Sequence, residues 1–288
     1  MSERFSHVLN VIAEDASALA EKLRVFGEAI WLSPGRAFDM GISGDVQAVL
    51  SRARGIATNA DINIVATAHR RKKLLVADMD STIISCECLD ELADMAGLKA
   101  KVSAITERAM RGEIEFAGAL RERVALLKGL PLAALERTYI ERVRLNPGAV
   151  ALVATMKKHG ARSCLVSGGF TFFTSRVARL AGFDDQQANK LLDDGTSLTG
   201  QVAEPILGRE AKLAALEAEV SALGIAFADS LAVGDGANDL DMIKRAGLGV
   251  AYHAKPVVAA AAGASIAHGD LTALLYLQGY RDEEIVAQ

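Results

Sequence analysis

Short apolar runs alternate with helix-period segments over most of the chain. Leu74-Leu75-Val76-Ala77 is one such run and ends in Asp78. Ala161 to Val166 is a second, ending in Ser167-Gly168-Gly169, and Ser230 to Val233 is a third, ending in Gly234-Asp235-Gly236. Leu248 to Ala251 is a fourth. Helical periodicity fills the intervals at 148–159, 172–181, 209–223, 238–246 and 270–278. Continuous apolar strands alternating with helices predict an α/β fold, a doubly wound parallel sheet of the Rossmann type with both faces covered. In such a sheet the polar residues past the strand C-termini gather at one edge, where ligands bind. The three polar endings are therefore expected to meet.

Three segments depart from that alternation. Residues 83–146 carry helical segments only and read as a helical cap inserted into the core. Leu191 to Val202, with Asp193-Asp194-Gly195, reads as a hairpin. Residues 1–71 form a small α/β unit of their own. His7 to Ala13 alternates like a strand, Ala16 to Phe26 places Leu19, Leu23 and Phe26 on one helical side, and Ala37 to Ile42 is extended. Val46 to Ala57 reads as a helix and Ile62 to Ala66 as a strand. The run Arg70-Arg71-Lys72-Lys73 reads as a solvated linker at the boundary with 72–288.

Composition narrows the function classes. Of 288 residues, 51% are hydrophobic and 24% charged, the balance of an ordinary globular protein. A net charge of -4 gives no basic field for nucleic acid, and a four-residue basic run makes no membrane patch. The cysteines, Cys86, Cys88 and Cys164, are too few and oddly numbered for a disulfide framework. No signal pattern or spanning apolar run is present, so a cytoplasmic location is the default expectation.

The chemistry lies at the strand ends. Asp78 and Asp80 stand two apart, and two ionised carboxylates so close call for a hard cation such as Mg2+, with Asp235 as a third oxygen donor. Capping of the following helix is the competing reading for this pair. Ser167-Gly168-Gly169 lets a backbone approach a ligand as a strand passes into a helix, where amides favour phosphate. An ordinary turn explains the same residues. Gly234-Asp235-Gly236-Ala237-Asn238-Asp239 is too dense in acids and glycines for packing alone. Lys212 matters only if it reaches this edge, where its charge would offset a phosphate. In the cap, Phe116, Leu120, Arg123 and Leu127 share one helical face. An arginine centred on an apolar stripe needs an anionic partner, either a core carboxylate or a ligand.

These blocks, in this order and spacing, resemble the haloacid-dehalogenase superfamily of phosphotransferases, and closely its phosphoserine phosphatase family. The match runs from about Lys73 to the C-terminus. It takes in Asp78-Met79-Asp80-Ser81-Thr82, Glu87, Met110-Arg111-Gly112 through Phe116 to Lys128, Val166 to Phe170, Lys212, and Val233 to Asp239. The resemblance implies Mg2+-dependent hydrolysis of phosphoserine, the last step of serine synthesis, through an aspartyl phosphate on Asp78. It implies that Asp80 protonates the leaving alkoxide and then deprotonates water. Asp78, the backbone carbonyl of Asp80, and Asp235 would hold the metal. Ser167-Gly168-Gly169 and Lys212 would bind the phosphoryl group, with Asn238 beside it and Thr82 and Asp239 in support. Glu87 would take the substrate ammonium and Arg123 its carboxylate, with Phe116 and Met110 walling the pocket. Transfer of the phosphoryl group to a small alcohol such as homoserine is an alternative use of the same machinery, and non-catalytic amino-acid binding is another. The N-terminal unit resembles an ACT-like domain in its element order. Its Glu14-Asp15-Ala16-Ser17 lacks the glycine of the usual first loop, which leaves amino-acid sensing, packing and homodimer formation open.

Overall fold

The computed structural model describes residues 5–111 and 113–287, with Met110 described without its side chain. The first unit runs β1 (His7–Ile12), α1 (Ser17–Lys22), β2 (Ile30–Ser33), β3 (Ala37–Ile42), α2 (Val46–Ile56) and β4 (Asp61–Ala66). Its sheet has the order β2-β3-β1-β4 and is antiparallel throughout. Leu9, Val11, Phe38, Met40 and Ile62 point to its own core, where Leu23 and Ala53 of the helical side meet them. Asp45 caps α2, accepting bonds from the amides of Gln47 and Ala48. β2 follows the short run Ala29 to Leu32, which is not among the strands expected from the sequence.

The main sheet begins with β5 (Leu74–Ala77). Four helices follow before the chain returns to it: α3 (Cys88–Met95), α4 (Lys99–Met110), α5 (Phe116–Ala125) and α6 (Leu132–Arg142). Then come α7 (Ala149–Lys158), β6 (Arg162–Phe170), α8 (Thr171–Ala181), β7 (Asp185–Asn189) and the hairpin β8 (Leu191–Asp193) and β9 (Leu198–Val202). The chain closes with α9 (Arg209–Leu223), β10 (Ser230–Gly234), α10 (Leu240–Arg245), β11 (Leu248–Tyr252), α11 (Pro256–Ala261), β12 (Ala264–Ile266) and α12 (Ala273–Leu277). The six strands order as β12-β11-β10-β5-β6-β7, all parallel. Burial on both faces explains the unbroken apolar runs. Leu75 and Ala77 of β5 enter one core, Leu74 and Val76 the other. The winding direction reverses at β5, so the crevice past the C-termini of β5 and β10 is where a ligand fits. The hairpin pairs with the inserted helical region rather than the main sheet: Gly129 N donates to Leu198 O and Leu198 N to Leu130 O.

The basic run is not a solvated linker. Arg70 grips Asp39 of β3 with two prongs, 2.6 and 2.9 Å, and donates Nε to Leu277 O. Arg71 pairs with Glu284 at 2.7 Å and lies over the Tyr280 ring. Lys72 is buried with Nζ on Ala228 O, and burial pulls its pKa down to about 8. Lys73 pairs with Asp229. The small sheet and the C-terminal segment supply acceptors to Arg70 and Arg71, and the turn before β10 supplies them to Lys72 and Lys73, an arrangement that local charge density cannot reveal. Among the described residues, no helix is long and apolar enough to cross a membrane.

Candidate active site

Asp78 follows β5 and its carboxylate turns back to accept from the amide of Met79. Lys212, in the first turns of α9, is only 2% exposed and brings Nζ within 2.6 Å of Asp78 Oδ1 and 2.5 Å of Asp239 Oδ1. The other oxygen of Asp239 accepts from Gly236 N at 3.0 Å. A side chain on Gly234 would overlap Asp239, with a Cβ 2.3 Å from its carboxyl carbon, so the glycine leaves room for this acid. Asp235 accepts from the Thr82 hydroxyl at 3.2 Å, and Asn146 fixes the Thr82 carbonyl.

Asp78, Asp235 and Asp239 offer oxygens that all lie within 4.8 Å of one another. Burial and the Asp239 carboxylate push Asp78 well above the usual carboxylate range, against the pull of Lys212. Burial and Asp239 likewise raise Asp235. Burial works against the Lys212 ammonium, but the two acids outweigh it and raise its pKa. Three carboxylates around one ammonium leave negative charge in excess. An all-oxygen set of this kind suits a hard divalent cation.

Asp80 does not join that cluster with its side chain. The backbone at Ser81 takes a left-handed turn, φ 55°, and the Asp80 carboxylate sits instead between the start of α3 and β6. Its Oδ1 accepts from Cys88 N at 2.9 Å and its Oδ2 from the Ser167 hydroxyl at 3.1 Å. Burial raises its pKa. The two neighbouring acids are thus separated by direction, and of the two only the Asp78 carboxylate lies in the three-acid cluster.

The segment 167–169 also departs from expectation. It does not open a helix. β6 continues to Phe170, and its register against β7 breaks between Val166 and Phe170, which marks a bulge. Within the bulge Gly169 N donates to Ser167 Oγ at 2.8 Å.

A cavity of about 160 Å³ opens over these groups. Asp78, Asp80, Ser167, Gly168, Gly169, Asp235 and Asn238 line its core side, and Glu87, Leu89, Phe116, Leu120 and Arg123 line the other. Glu87 precedes α3 and accepts from the Ser81 hydroxyl at 2.7 Å; burial, then Asp80, push its pKa up to about 7. Arg123 donates Nε to Ala119 O, one turn back on its own helix. Among the described residues no carboxylate lies within ion-pair distance of its guanidinium, and burial lowers its pKa. The reading of a core salt bridge for this residue fails. Phe116, still 39% exposed, packs against Gly168, where an added Cβ would stand 3.2 Å from its ring. The side chain of Met110, and Gly112, lie outside the described residues. Phe170, which also lines the cavity, stood in a matched block without a role, and Leu89 and Asn189 have no signal of their own as site residues in the sequence.

The haloacid dehalogenase-like hydrolase family matches residues 75–244. A phosphoserine phosphatase of Polaromonas sp. strain JS666 is 49% identical over 210 residues, which cover 71% of this chain and 89% of that protein. A HAD family hydrolase from Salmonella enterica serovar Typhi superposes with a TM-score of 0.84 at 28% identity, covering 94% of this chain and 98% of the other. A phosphoserine phosphatase solved as a phospho-aspartyl intermediate analogue gives 0.66 at 39% identity, covering 72% and 98%. The matched span contains all the strand ends that converge on Asp78, and the chain belongs to the haloacid dehalogenase-like hydrolase family.

Proposed function

We propose that the chain hydrolyses O-phospho-L-serine to serine and phosphate, with Asp78 as the nucleophile. The observation that carries the substrate is Arg123, a half-buried guanidinium on the cavity wall with no carboxylate of its own among the described residues. A ligand carboxylate satisfies it by charge-assisted bonds. Glu87 shares the cavity and suits the ammonium of the same ligand. A phosphorylated amino acid presents both groups at a fixed separation from its phosphate.

In this reading Asp78 attacks phosphorus, the P–O bond to the serine side chain breaks, and the alkoxide takes its proton from Asp80. Burial, which raises Asp80, favours the protonated acid this step requires. Asp80 then accepts a proton from the water that attacks the aspartyl phosphate, releasing phosphate and restoring Asp78. Ser167, the amide of Gly169, and Lys212 hold the phosphoryl oxygens, positioning them for in-line transfer. Asp78, Asp235 and the Asp80 carbonyl would hold a divalent cation, Mg2+ in this reading, which would supply positive charge between the phosphoryl group and the attacking carboxylate. Asn238, Asp239 and Thr82 keep those groups in register. The open edge of β2, the strand at one end of the small sheet, is where a homodimer would pair.

Phosphate release from phosphoserine, sugar phosphates and an aryl phosphate, with and without Mg2+, tests the assignment. Phosphoserine should be preferred, and only with the metal. Arg123→Ala should cut kcat/KM for phosphoserine about 100-fold, or about 2.7 kcal/mol, and that for the aryl ester less than about 3-fold. Equal losses on both substrates would remove Arg123 as the carboxylate clamp. Phosphate passing to an added alcohol instead of water would favour the transferase.

A further inference from the structure

We propose that Asn189 is a positioning residue that sets the spacing between the two elements gripping the phosphoryl group. It rests on the reading of Ser167, Gly169 and Lys212 as phosphoryl ligands. Those ligands come from separate parts of the chain. Ser167 and Gly169 belong to the bulge in β6, and Lys212 to α9, which starts one residue past Gly208. Between them run α8, β7, the β8–β9 hairpin and a loop; packing of α9 on β5 and β6 seats the helix on the sheet but leaves the local spacing of the bulge and the Gly208 turn to finer contacts.

Asn189 bridges that gap with one side chain. It ends β7, opposite Phe170, and is 2% exposed. Its Nδ2 donates to Gly168 O at 2.9 Å and to Leu207 O at 3.1 Å. Its Oδ1 accepts from Leu207 N at 2.8 Å. Both amide hydrogens and one carbonyl lone pair are used, and all three bonds go to backbone. Gly168 lies between Ser167 and Gly169, and Leu207 immediately precedes the cap residue of the Lys212 helix. Phe116 reaches the same seam from the inserted helices, standing against both Gly168 and Gly208. The amide therefore stitches the two phosphoryl-binding backbones directly under the ring that covers them. An aspartate of the same shape would turn both donors into acceptors and face two carbonyls. A leucine of the same branched shape would make no bond and take this partner from three part-buried backbone groups.

The test uses full-length Asn189→Leu and Asn189→Asp, with Val177→Ala as a reference that loosens the core of α8 without touching the site. Melting temperature, steady-state kinetics with phosphoserine and the inhibition constant for inorganic phosphate are measured on each. Both Asn189 variants should weaken phosphate at least tenfold and lower kcat/KM by a larger factor, while Val177→Ala shifts melting with the phosphate constant within twofold of wild type. Should the first two variants not fold, Asn189→Ser keeps a small polar group that cannot span Gly168 and Leu207, and it should show the same loss. Wild-type phosphate affinity in every folded Asn189 variant overturns the proposal, as does an equal loss in Val177→Ala. Ser167→Ala separates the two readings. If it weakens phosphate while the Asn189 variants do not, only the positioning role fails; if none of them does, the phosphoryl site itself is misread.

Discussion

Glu87 and Arg123 line the same cavity, and the sequence marks them differently. Arg123 shows in the sequence because a charge interrupts an apolar helical stripe, a pattern that needs no tertiary information. Glu87 shows only through resemblance. It sits at a helix start, where an acid is commonplace, and what sets it apart is enclosure by groups distant in the chain. That enclosure has a consequence. Burial raises the Glu87 carboxyl to about 7, so below that pH the free enzyme holds it mainly neutral and above it mainly ionised. Only the ionised form attracts an ammonium. The KM for phosphoserine should therefore fall as pH rises through about 7, and Glu87→Gln should flatten that dependence while raising KM. The measurement is KM against pH for both proteins, using an aryl phosphate to remove the titration of the phosphate itself. An identical pH profile in Glu87→Gln contradicts the role.

The strand ends were readable because burial on both faces writes a strand as a continuous apolar run. β5, β6, β10 and β11 follow that rule. β7 does not, since Asp185-Gln186-Gln187-Ala188-Asn189 is an edge strand with only partial burial and no apolar run. β12 has only three residues, and β2, as long as β5, is buried only in its second half. The bulge in β6 was hidden for another reason. A Ser-Gly-Gly sequence fits a helix start as well as an irregular strand, and only pairing with β7 decides between them. The bulge is sterically tight. A Cβ on Gly169 would stand 3.0 Å from both Asp80 Oδ2 and Ser167 Oγ, although the backbone there is not left-handed. Gly169→Ala should therefore fold normally and lose about 10–100-fold in kcat, about 1.4–2.7 kcal/mol of activation energy. Unchanged kcat, measured beside an unchanged melting curve, would show that the bulge tolerates displacement of Asp80.

The small N-terminal sheet is joined to the main domain by buried polar bonds, most of them invisible to any local pattern. Asp61 of β4 is 3% exposed and accepts from the amides of Ala267, His268 and Gly269, in the loop that follows β12. Asn63 exchanges two bonds with the backbone of Ser265 in β12. The same loop leads to Leu271, whose amide bonds Pro147 O, beside Asn146 and its hold on Thr82. Asp61→Ala should cost about 3 kcal/mol, since a buried acid serving several backbone donors is lost. A urea midpoint equal to that of the wild type would show that the sheet is not anchored there. With both units in place, the strand ends converge on Asp78, the residue on which the proposed covalent step falls. The most direct check is to mix the full-length enzyme with radiolabelled phosphoserine and Mg2+, quench in acid within the first turnover, and map the labelled peptide. The label should sit on Asp78, resist acid, yield to hydroxylamine and be absent from Asp78→Asn. Label on any other residue, or rapid phosphoserine hydrolysis by Asp78→Asn, would contradict the phospho-aspartate.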